Sequence, residues 1–171
     1  ERNYHETGKV FFQGLFFLLV LAGSMFLLSW FFSPKLLSRL ITSEEVFKAV
    51  LKYLDWRIFG LLFTFPALAF RAFFVGITKT RILTTGAIVM VTTNVLLNYL
   101  LIFGNLGFPR LGISGAALAS TISELSFLVV LVVYVYRKVD RRHYGLKPVC
   151  ELPLLIRLLR LSIWSMMHSF T

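Results

Sequence analysis

Three polar side chains stand where a membrane would allow few. Glu124 lies near the middle of an apolar run from Gly112 to Tyr136, and Asn94 and Asn98 lie four apart in the uncharged run before it. A carboxylate at mid-membrane depth costs roughly 2.5–3.5 kcal/mol on insertion scales, which makes it a functional-site candidate. It can exchange a proton or a monovalent cation as its surroundings open and close, or, protonated, only bond a neighbouring helix. Ser120 and Thr121, four and three residues back, are its expected partners at helical spacing. Asn94 and Asn98 share one helix face. Their amides can hold a substrate's polar group, ligate a cation through oxygen, or pin two helices together. Together with Glu124 they are expected to line one polar pocket, with Thr92 and Thr93 as weaker contributors.

The elements that must carry these residues follow from composition. Of 171 residues 57% are hydrophobic and only 15% charged, with 18 Phe and a net charge of +10. Soluble domains run at about a quarter charged, so a disordered chain and an ordinary soluble domain are both excluded. A nucleic-acid partner is excluded too, because the basic residues border apolar runs too long for strands. A crossing helix needs about 20 apolar residues. Four spans meet that requirement, at about 10–32, 56–77, 82–103 and 112–136, giving an all-α, polytopic transmembrane bundle with membrane lipid as a partner. Arg71 lies near the end of the second span and is read as snorkelling to the interface. Gly104, Gly107 and Pro109 stop the third span near Phe103 and turn the chain. Gly112 and Gly115, with Ala116, Ala119, Ser120 and Ser123, make the start of the fourth span small enough for close packing. Pro66, mid-span, removes a backbone hydrogen bond and is a hinge candidate.

Between the first two spans, Ser33 to Arg57, with Pro34 at its start, reads as an amphipathic entry into the second span that lies along the outer surface. Leu154, Leu155, Leu158, Leu159 and Ile163 read as the opening of a truncated fifth span. Twelve of the 18 Lys and Arg fall on the side of the N-terminus, so both ends are expected to be cytoplasmic. Cys150 stands alone, and His5, His143 and His168 are scattered, so no metal site is expected. No Walker-type loop, dinucleotide turn, HExxH or Ser-His-Asp set is present, and an enzyme is not expected. The chain begins at Glu1 and ends at Thr171 in an apolar stretch, and is read as a fragment.

The string from Asn94 through Gly104, Gly107, Pro109, Gly112 and Gly115 to Ser120 closely resembles the multidrug and toxic compound extrusion (MATE) family at the junction of its fifth and sixth helices. Arg71 to Arg81 resembles that family's loop between helices four and five, and Tyr53 to Pro66 suits its fourth helix. The resemblance implies a bacterial inner-membrane antiporter of twelve helices in two lobes, exporting cationic or amphipathic drug-like compounds in exchange for protons or sodium. It implies no other cofactor. Residues 1–150 would supply helices three to six of the first lobe and 151–171 the start of helix seven, partnered by the remaining helices. The family's polar site would fall on Asn94 and Asn98. Relatives often have Asp at the second position; the amide of Asn98 does not titrate, so a coupling carboxylate would be Glu124 or an acid on the first helix. The alternatives are a lipid-linked oligosaccharide flippase, which wants basic residues facing a central cavity, and a non-transporting membrane scaffold, which tolerates apolar replacement of all three polar residues.

Overall fold

A computed structural model describes residues 4–139. Its order is α1 (Tyr4–Leu40), α2 (Glu44–Gly76), α3 (Arg81–Phe103), a single 3-10 turn (Asn105–Gly107) and α4 (Ile113–Lys138). All four α-helices are long and apolar enough to cross a membrane. The expected fifth-span opening, the start of helix seven, Cys150, His143 and His168 lie outside the described residues.

In a bilayer core the backbone must satisfy itself, so apolar segments are helical whatever their local propensity. That rule corrects the reading of Ser33 to Arg57. Pro34 lies inside α1, which runs on to Leu40, and only three residues separate it from α2. Val46, Phe47, Val50, Leu51 and Leu54 belong to the first turns of the same helix as the second span, so no separate surface helix exists. At 37 and 33 residues, α1 and α2 are each about 50 Å or more long and overhang a hydrocarbon core of about 30 Å. Ser43 caps α2 by accepting from the Val46 N–H, and Glu44 and Glu45 sit at the positive end of its dipole. Pro66 is buried within α2, which continues through it.

The third helix ends where expected. Gly104 takes a left-handed φ of 73°, its N–H bonding the Leu100 carbonyl. Gly107 and Gly112 also have positive φ.

Helix α4 is the centre of the bundle, packed between α2 and α3, while α1 lies on the outer side of α2. In lipid the drive for this packing is close contact. Gly115, Ala117, Ala119, Thr121 and Ser123 are buried along α4. Below them Phe11, Phe70, Phe73, Phe74, Phe127 and Leu131 form the apolar core. Phe11 meets Phe73 with centroids 4.8 Å apart, and Phe74 meets Tyr134 edge-on at 5.6 Å.

Candidate functional site

Helix α4 presents polar groups to both neighbours. Toward α3, Asn94 Nδ2 donates to Ser120 Oγ at 3.4 Å and to Ser123 Oγ at 3.3 Å. Asn98 Nδ2 donates to Asn94 Oδ1 at 2.9 Å, so the pair is joined as its spacing predicts. Asn98 Oδ1 is buried and has no hydrogen-bond partner among the described residues. Ser123 returns its own hydrogen to the Ser120 carbonyl at 2.7 Å.

Toward α2, Glu124 is held by Arg57, the last residue of the segment read as an amphipathic entry. Nη2 reaches Oε1 at 2.7 Å and Nη1 reaches Oε2 at 2.9 Å, the two-pronged geometry that makes Arg–carboxylate pairs strong. The expected partners of Glu124 go elsewhere. Ser120 faces Asn94, and Thr121 Oγ1 donates to the Trp56 carbonyl at 3.0 Å, fixing α4 against the turn that carries Arg57. Gly60, one turn on, leaves the space: a Cβ there would collide with the Arg57 guanidinium and lie 2.5 Å from Glu124 Oε2. Glu124 and the asparagines thus lie on different helix contacts rather than in one hydrogen-bonded pocket, and Thr92 is exposed.

Glu124 also borders a cavity of about 180 Å³ lined by Thr64, Ala67, Leu68, Arg71, Met90 and Phe127. Arg71 is an exposed residue whose guanidinium turns toward α4. Its guanidinium carbon lies 4.8 Å from the centroid of the Phe127 ring. Phe74, three residues further along α2, meets Tyr134, so Arg71 reaches back along α4 into the bundle. Side chains of helical residues lean toward the helix N-terminus, which here is away from the nearer end of the span. The Cδ2–Cε2 edge of the Phe127 ring lies against Gly86, where a Cβ would stand 2.9 Å from both carbons.

Arg57, Gly60 and Phe127 are the site residues that the sequence reading missed. The available signal was Arg57 three residues before Gly60, a charge beside a gap on one helix face. Among the described residues no group of three or more His, Cys, Asp or Glu could hold a metal ion.

The family model described as MatE matches residues 1–100. A Bacillus cereus protein named "Probable multidrug resistance protein NorM" is 31% identical over 138 residues, covering 81% of this chain and 30% of its own length. Proteins of the same name from Halalkalibacterium halodurans (31% over 132 residues; 77% of this chain, 29% of the relative) and Listeria innocua (28% over 134; 78% and 29%) are similar too. The chain therefore spans about 30% of the length of these relatives.

Proposed function

The chain belongs to the MatE family, and from that premise we propose that this multi-pass membrane protein is part of a secondary active multidrug efflux antiporter. It exports cationic or amphipathic compounds in exchange for protons or sodium ions. Helices α1 to α4 serve as helices three to six of the first lobe in a bacterial inner membrane, with both chain ends cytoplasmic and the remaining helices packed on their exposed apolar faces. The observation that carries this reading is Glu124, a mid-span carboxylate opening onto a cavity and paired with a second charge inside the bundle. A scaffold needs only packing at that depth, whereas a pump uses polar groups there to bind its cargo and coupling ion. The open oxygen of Asn98 supplies a neutral ligand for the coupling cation, with Asn94 holding it in place and Ser120 and Ser123 holding Asn94. Coupling then requires only that drug and ion prefer opposite conformations.

Ethidium efflux from energised cells producing the full-length protein tests the proposal. Glu124→Gln at matched membrane abundance is expected to reduce efflux at least about tenfold, the size expected when a charge-assisted contact is lost. Asn94→Ala is expected to lose efflux with unchanged abundance. Efflux that survives Glu124→Gln would keep the transporter reading and move the coupling carboxylate to the remaining helices, whereas no ethidium efflux from the unaltered protein would support the scaffold. The cavity-facing guanidinium of Arg71 is the observation that favours the flippase alternative. That reading demands no ethidium efflux from the unaltered protein and lipid-linked sugar translocation that depends on Arg71.

A further inference from the structure

The cavity among α2, α3 and α4 contains the two elements with which a protein holds an organic cation, a carboxylate and an aromatic ring, and neither is free. The carboxylate of Glu124 is filled by Arg57, and the ring of Phe127 is covered by Arg71, with Gly86 against its Cδ2–Cε2 edge. We propose that Arg57 and Arg71 are tethered counter-ligands, occupying the positions that a lipophilic aromatic monocation takes when it binds this cavity. The inference rests on the antiporter reading and names, for the same site, the residues that set its affinity and selectivity.

Three observations converge on it. Glu124 receives both of its bonds from one guanidinium, and Gly60 clears the space for that pairing, so the pair is built into the α2–α4 contact. Among the described residues Arg71 has no carboxylate partner. Its hold is the ring of Phe127 alone, a weaker attachment than a two-pronged ion pair. The cavity is also too small for a drug with the arginine in place. At about 180 Å³ it falls below the 300–1,000 Å³ of drug-sized sites, and Arg71 is the long, flexible side chain whose departure enlarges it. Arg71 therefore leaves first and uncovers the ring. The incoming cation then competes with Arg57 for Glu124. Small or strongly hydrated cations gain nothing from the ring, so the device favours aromatic ones.

The test is binding of tetraphenylphosphonium to the purified full-length protein. Removing a competitor tightens binding, which loss of a merely structural contact does not do. Arg71→Met is expected to lower Kd about 5- to 10-fold, by removing both the competing cation and its cover on the ring. Arg57→Lys is expected to lower it about two- to threefold, because an ammonium cannot span both oxygens. Glu124→Gln is expected to raise it at least about tenfold. If Arg71→Met folds poorly, Arg71→Gln carries the same expectation. Weakened binding in Glu124→Gln with unchanged or weaker binding in the Arg71 variants would overturn the counter-ligand proposal and leave the carboxylate as a cation site. Binding indifferent to Glu124→Gln would overturn both, since the cavity would then not be where the cation goes.

Discussion

Gly115→Ala lowers the thermal midpoint of the full-length protein by several degrees, against the direction that helix propensity alone dictates. In an exposed helix interior the exchange gains about 1 kcal/mol. At this position the new Cβ would lie 2.6 Å from the carbonyl oxygen of Leu101 and 2.8 Å from its carbonyl carbon. Those are backbone atoms, and the same oxygen already accepts from the Leu111 N–H at 2.9 Å, so the turn cannot yield without breaking that bond. Overpacking costs about 1–3 kcal/mol, and an immovable obstacle belongs at the upper end. The net loss is then about 2 kcal/mol, and Gly115→Val loses more and lowers membrane abundance. Fluorescence-detected gel filtration of heated, solubilised protein reads both. A midpoint that stays level or rises in Gly115→Ala would mean that α3 and α4 do not approach through this glycine.

The same region shows what the sequence made legible. The glycine and proline cluster after Phe103 announced the end of α3 because left-handed backbone and a lost donor act on the residue that carries them. Asn94 and Asn98 were legible for the same reason: helical spacing alone brings their amides together. Residues whose partners sit on another helix were not. Arg57 is 67 positions from Glu124, and only the register between α2 and α4, set by Gly60 and by Thr121 on the Trp56 carbonyl, shows that they meet. For Arg71, depth along its own helix favours snorkelling, while its ring contact, Phe127, is on α4 and does not follow from that depth. Pro34 misled in a different way. It marks a boundary in water, but at the edge of a bilayer breaking the helix strands more backbone groups than the proline does, so α1 runs through it.

Arg57→Ala is expected to destabilise the protein more than the double replacement Arg57→Ala with Glu124→Ala. Removing one partner of a buried pair leaves an uncompensated charge and costs about 3–5 kcal/mol, whereas removing both is often close to neutral. The side chains here keep 35% and 19% of their exposure, which reduces the single-variant cost to about 2 kcal/mol. The readout is a double-mutant cycle on thermal stability, with Glu124→Ala as the second arm. Additive single effects would show that the two heads do not share the α2–α4 contact. A single-variant cost of about 2 kcal/mol corresponds to roughly 30-fold in an equilibrium. That magnitude matters for the proposed transport. It is large enough to keep Glu124 occupied by Arg57 while the cavity is empty, and small enough for a bound aromatic cation to repay through the ring of Phe127 and the carboxylate together. A much stronger pair would hold the carboxylate permanently and fix α2 to α4 as a staple, and a much weaker one would leave a bare charge inside the bundle. The cycle therefore decides whether the charge pair belongs to the working cycle of the proposed antiporter or only to its packing.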